Sequence, residues 1–270
     1  GPWAHLFPYT SPTSTGTGDV DFGPAALIDL HEIQLRWFDH WLKGVDTGIL
    51  DEPPVKIFVM GENRWRDEHE WPLARTRYTP YYFHGGGRAN TSAGDGALSL
   101  RAPGEEPPDH FVYDPDDPVP TRGGNTLIIA MGVQDQRPVE ARGDVLVYTS
   151  DVVTSALEVT GPITVTLHAA TSARDTDFTA KLVDARPDGY AQNLADGIVR
   201  ARYRDSRETA TLLTPGEVSR FTIDLSATSH VFLPGHRIRV EVSSSNFPRF
   251  DRNLNTGEDQ ATGTRWQTAR

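Results

Sequence analysis

Two hydrophobic periods divide the chain. Between Leu27 and Leu42 the apolar residues recur at helical steps: Leu27, Leu30, Ile33, Trp37 and Trp41 form a stripe that Phe38 and Leu42 widen. Gly23 and Pro24 give this helix its start signal, since a proline in the first turn loses no hydrogen bond. Asp29 and Glu32 lie early, Lys43 lies at the end, and Gly44 suits the residue just past a helix. Two tryptophans and a phenylalanine make this face too apolar to be left in water, so the helix is expected to pack on a larger body. Beyond Asp51-Glu52-Pro53-Pro54 the period changes to alternation.

Alternating or short apolar runs predict strands at Val55–Met60, Tyr81–His84, Ala97–Leu100, His110–Tyr113 and Asp144–Thr149. Further strands are expected at Leu157–Thr160, Ile163–Ala169, Phe178–Asp184, Ile198–Tyr203, Val218–Leu225 and Ile238–Ser243. Ile238, Val240 and Val242 point one way while Arg237, Arg239 and Glu241 point the other, and Ile163, Val165 and Leu167 alternate likewise. The 24 glycines and 20 prolines supply the turns that so many short strands need. The fold class is therefore mainly β, a β-sandwich, entered through a loop and one long helix. The boundary falls within residues 44–54, dividing the chain into 1–50 and 51–270.

The chain has 270 residues, enough to bury a sizeable core. Its formal net charge of −11 argues against nucleic acid or an anionic membrane as partner, because the field repels polyphosphate. With no cysteine, disulfides, thiolate–zinc sites and cysteine nucleophiles are excluded. The longest apolar run, Leu127–Met131, is far below the roughly 20 residues that span a bilayer. A soluble protein is expected, the cytoplasm being favoured although any address signal would lie upstream.

No serine sits in a G-x-S-x-G elbow, no H-E-x-x-H is present, and no phosphate-binding glycine loop appears. His5 is the exception. It follows a Gly-Pro-Trp turn and precedes the polar loop Thr10–Asp19 and the long helix. That order matches the end of an α/β-hydrolase domain, whose triad runs serine, acid, histidine, with the histidine on a loop before the last helix. Four residues precede His5, so serine and acid are expected upstream.

Gly1-Pro2-Trp3-Ala4-His5 resembles the GPWxH motif of the CocE/NonD hydrolases, which include cocaine esterase, α-amino-acid ester hydrolases and glutaryl acylases. X-Pro dipeptidyl-peptidases share the order of parts. The resemblance extends through Gly18-Asp19-Val20-Asp21-Phe22, Leu35–Gly44, Phe58–Arg66, Asp175-Thr176-Asp177-Phe178, Gly235–Arg239 and Ser243–Phe250. It implies that residues 1–50 end an α/β-hydrolase domain and that 51–270 form a galactose-binding-like jelly-roll walling the active site. It also implies that the family's chain runs on past the counterpart of Arg270, so that this chain is cut at both ends.

The resemblance further implies acyl transfer through a serine ester, with His5 the catalytic base and no metal or organic cofactor. The substrate would be a small ester or amide, and the partner an upstream region carrying serine and aspartate. The chain alone is then inactive. Two other readings remain at this stage. A carbohydrate- or ligand-binding jelly-roll module would show a planar row of exposed aromatics on a sandwich face. An assembly domain would show a homo-oligomer interface there.

Other candidates have plainer accounts. Asp114, Asp116 and Asp117, set among prolines, read better as a turn than as calcium ligands. Asp175 and Asp177 read as a structural turn, and Ser243–Ser245 with Asn246 as a strand end bound to backbone. Trp65, Trp71 and Tyr81–Phe83 suit a core or an interface better than a ligand groove. His31 and His40 belong to the polar side of the helix, and His236 has no evident partner.

Overall fold

A computed structural model describes residues 1–3, 15–127 and 130–270. A small hairpin, β1 (Gly16–Thr17) and β2 (Val20–Asp21), leads to a 3-10 turn at Pro24–Ala26 and to helix α1 (Leu30–Lys43). Then follow β3 (Val55–Val59), β4 (Arg64–Glu68), β5 (Tyr82–His84), β6 (Ala97–Ser99) and the short helix α2 (Arg137–Glu140). The chain ends through β7 (Leu146–Ser150), β8 (Leu157–Ala169), β9 (Asp177–Ala185), β10 (Ala191–Arg200), β11 (Ser219–Phe232) and β12 (Arg237–Ser243).

The long helix starts later than Pro24 predicts. Pro24 opens the 3-10 turn, and Asp29 caps α1 by accepting a 3.0 Å hydrogen bond from the Glu32 N–H. Gly44 closes it with a left-handed backbone, as expected. No residue of α1 is buried. Trp41 is 57% and Leu42 78% exposed, although the opposite side is tied down by the Thr47 hydroxyl on the Arg36 carbonyl at 3.0 Å. The apolar face therefore has no cover among the described residues.

Six strands form one mixed sheet in the order β10-β9-β12-β7-β6-β5, with β6 and β7 parallel and the other pairs antiparallel. Facing it is the antiparallel pair β11-β8, and β3-β4 form a separate hairpin. The core lies between the two larger layers. Leu146, Leu182 and Val240 come from one sheet, Val165, Phe221 and Ile223 from the other, and the Phe178 and Phe221 rings meet at 4.7 Å. Truncating a buried phenylalanine such as Phe221 removes contacts worth about 3–5 kcal/mol.

Several elements differ from the pattern reading. Leu157–Thr160 and Ile163–Ala169 are one strand, because Gly161 and Pro162 stay paired with Thr228 and Ala227 across a register shift in β11. His110–Tyr113 is not a strand; only Tyr113 makes a bridge, to Ala269. Ile198–Tyr203 ends as strand at Arg200 and continues as a 3-10 turn. β4 was hidden by its charges: in Arg-Trp-Arg-Asp-Glu only Trp65 is apolar, yet the segment pairs with β3.

The outer face of the six-stranded sheet is covered by a third layer. Val119, Val139 and Val145 pack there on Val147. Beside them lie the buried charged residues Glu140, Lys181 and Glu241, with the partly buried Arg239 approaching Glu140 to 2.6 Å.

Candidate functional site

His5 lies within residues 4–14, outside the described residues. What the structure describes is how both ends of that segment are held. On the near side, the Trp3 ring lies 5.5 Å from Trp65 of β4, and its indole N–H donates to the Ala26 carbonyl at 3.1 Å. Trp65 in turn meets Phe58 at 5.3 Å, and Phe58 meets Phe22 edge-on at 5.7 Å. Alternation in β3 and β4 produces this arrangement, because Phe58 and Trp65 are cross-strand partners in register.

On the far side, the Phe22 N–H donates to the Thr15 carbonyl at 2.8 Å, closing the β1-β2 hairpin. Gly18 then pairs with Val133, and the Asp19 N–H donates to the Val133 carbonyl at 2.7 Å. A Cβ on Gly18 would stand 1.9 Å from that carbonyl oxygen, and its φ of +72° also favours glycine, so this approach needs that residue. The Asp19 carboxylate accepts from the Asp135 N–H at 3.2 Å and the Tyr190 hydroxyl at 3.1 Å. Burial, with the Asp19 charge second, pushes the Tyr190 hydroxyl well above the usual phenol range, so it remains a donor. Phe22, Ala26, Phe58 and Val133 form the buried centre of this seam. The Gly23 N–H at 2.8 Å holds Asp21 below the ordinary carboxylate range.

One juxtaposition away from this seam has the outline of a triad. The His84 Nε2 lies 3.0 Å from the Ser99 hydroxyl and its Nδ1 2.7 Å from Glu106. The same Nε2 faces the Arg101 carbonyl at 2.9 Å, which can only accept. Its Nε2 is thus shared between the Ser99 hydroxyl and a backbone carbonyl, all three within the β5-β6 hairpin and the loop after it. The arrangement ties a loop to β5, and the His84 hydrogen bond followed by the Gly85 N–H lowers the Glu106 carboxyl.

The remaining candidates are structural. Asp116 N–H bonds the Asp114 carboxylate at 2.9 Å in a turn, and Asp117 pairs with Arg142. Asp175 and Asp177 are buried against Arg202 and Arg200 at 2.8 and 3.0 Å, with the Asn253 amide bridging both carboxylates. The Ser245 hydroxyl accepts from the Val119 N–H at 2.8 Å, as expected of a strand end. His236 does have a partner: Asp184 is shared by His236 and the buried His230, at 2.8 and 2.9 Å. No spacing in the sequence reveals that trio, because β9, β11 and β12 bring it together. No group of three or more His, Asp or Glu side chains among the described residues is arranged to hold a metal ion.

Tyr81, Tyr82 and Phe83 do not lie in a closed core. They border a cavity of about 1610 Å³ between the sheets, floored by Tyr148 and Val240 and walled by Ile163. β8 pairs only with β11 among the described residues, so this side of the core is open. None of the exposed large aromatic residues described stands in a β-strand, so the planar row asked of a glycan-binding face is missing from them. Trp71, 40% exposed, lies outside the strands too. Among the described residues no helix is long and apolar enough to cross a membrane.

Comparison with known proteins agrees with this architecture. Cocaine esterase from Rhodococcus sp. (strain MB1 Bresler) is 49% identical over 262 residues, covering 95% of this chain and 45% of that protein. The crystal structure of an aminopeptidase from a marine sediment Thaumarchaeota archaeon superposes with a TM-score of 0.76 at 31% identity, covering 94% of this chain and 43% of that one. An α-amino acid ester hydrolase superposes at 0.72 with 31% identity, covering 88% and 41%. The chain thus spans less than half the length of these relatives. Residues 47–269 match the X-Pro dipeptidyl-peptidase C-terminal non-catalytic domain, and the chain belongs to that family.

Proposed function

We propose that this chain is the C-terminal part of a serine hydrolase that cleaves a small ester or amide through an acyl-serine intermediate. The observation that carries the reading is the 49% identity to cocaine esterase across 95% of the chain, together with a histidine two residues after the anchored Trp3. Residues 1–50 then supply the triad-histidine loop and last helix of an α/β-hydrolase domain, and 51–270 the jelly-roll. A family match beginning at residue 47 supports a division near that point.

In the reaction, His5 takes the proton of an upstream serine as the hydroxyl attacks the substrate carbonyl, and returns it to the leaving group. An upstream carboxylate holds the imidazole in the required tautomer. Water, deprotonated by the same imidazole, then releases the acyl group. The uncovered α1 face supports an upstream partner, because Trp37, Phe38 and Trp41 side by side form a patch that water does not favour.

The test is an intact mass, p-nitrophenyl acetate hydrolysis and fluorophosphonate labelling. The isolated 29.8 kDa chain should neither turn over nor label. A protein joining it to the upstream region should label on a serine outside this sequence, and His5→Ala should abolish its turnover. Labelling of the isolated chain, or turnover surviving His5→Ala, overturns the reading.

A further inference from the structure

We infer that residues 16–26 and the β region are one folding unit, so that the division of the chain near residue 47 is not a division of the fold. The inference goes beyond the proposed reaction and holds whatever the role of His5. It rests on a receptor surface that the β region builds from three stretches far apart in sequence. Phe58 and Trp65 come from the β3-β4 hairpin, Val133 and Asp135 from the loop before α2, and Tyr190 from the turn before β10. The occupant is the β1-β2 hairpin with the 3-10 turn that follows it.

The hairpin has two residue pairs, Gly16 with Asp21 and Thr17 with Val20, too few to stand alone in water. The receptor supplies the rest. Gly18 bridges to Val133, and the Asp19 carboxylate accepts from the Asp135 N–H and the Tyr190 hydroxyl. Phe22 is buried edge-on against the Phe58 ring, and Ala26 is fully buried. The fit is selective. A Cβ at position 18 would strike the Val133 carbonyl oxygen, so the surface takes a Gly-Asp pair followed three residues on by an aromatic ring. Past Ala26 the burial stops, since no residue of α1 is buried. The edge of the folding unit thus falls between Ala26 and α1, well before the family match begins at residue 47.

The test cuts the folded chain and asks whether the seam holds. A protease site is placed in the exposed turn at Leu50-Asp51, in a chain carrying Trp37→Glu and Trp41→Glu. Those two substitutions remove the apolar face of α1 as a rival means of association. The pieces 1–50 and 51–270 should elute together in native buffer and part in urea. Phe22→Ala should weaken their association by about 100-fold or more, and Tyr190→Phe, which removes one hydroxyl from Asp19, by about 10-fold. Leu42→Ala, on the uncovered helix, should leave it unchanged. Pieces that part in native buffer, or that hold equally well with Phe22→Ala and Gly18→Val, overturn the inference.

Amide exchange of the uncut chain gives a second reading. The Asp19 N–H, bonded to Val133, should open at the same urea concentration as the Val231 N–H, bonded to Met60. Opening of Asp19 at lower urea also overturns the inference, and this measurement decides alone should the cut chain aggregate. Neither readout is turnover, so failure here leaves the triad reading standing.

Discussion

Glu241 makes the stability of this chain depend on pH in a direction opposite to that of an ordinary paired carboxylate. It is buried on β12, across from Lys181 on β9. The Lys181 ammonium donates instead to Gln136 at 3.1 Å and stands 3.6 Å from the Glu241 carboxylate, beyond good hydrogen-bond range. Arg239 is engaged by Glu140, and neither Glu241 oxygen has a hydrogen-bond partner. Burial, only partly opposed by Lys181 and reinforced by Glu140, pushes the Glu241 carboxyl up to about 7 from an ordinary value of 4.5.

Between those values the folded chain holds a proton that the unfolded chain has released. Folding is thus favoured by this group below about pH 4.5, and the contribution is lost as the pH rises through about 7. At about 1.4 kcal/mol per pH unit, the loss between pH 5 and 8 is roughly 2–3 kcal/mol. The assay is urea unfolding at half-unit pH steps for the chain and for Glu241→Gln, whose amide cannot titrate. Subtracting the two curves cancels the other carboxylates. The difference should shift by roughly 2–3 kcal/mol against the parent chain as the pH rises. Parallel curves would show that Glu241 ionises at its ordinary value and would refute the reasoning.

Two further outcomes follow from the same structure. Asp175→Ala should destabilise the fold by about 3–5 kcal/mol in urea unfolding, because it strands Arg202 and one side of Asn253 in a buried site. The isolated chain should self-associate through α1 in sedimentation velocity, and the double substitution Trp37→Glu with Trp41→Glu should return it to a monomer at unchanged urea midpoint, since neither side chain is buried.

Much of the fold could be read from local rules. Alternation located β12 and the second half of β8, where Val165 and Leu167 are buried and Thr164, Thr166 and His168 exposed, because a half-buried strand must segregate its faces. The misses have equally local causes. Pro24 drew the helix start forward although the Asp29 to Glu32 pair carried the real cap. β4 hid because its outward face is charged and its inward face is one tryptophan. Gly161-Pro162 separates two predicted strands in the sequence, but the partner strand accommodates the pair through a register shift and the strand runs on.

By itself the sequence determined many of the elements, the candidate histidine and the family resemblance, since each rests on residues close together in the chain: Gly1 to His5, Leu30 to Lys43, Ile238 to Val242. Only the tertiary structure decided which distant side chains share a site. It set Trp3 on Trp65 and Asp19 on Tyr190, joined Asp184 to His230 and His236, and left Glu241 buried beside Lys181. Such contacts are fixed by how sheets stack and strands register, and a periodicity confined to one segment carries no record of the segment it will face.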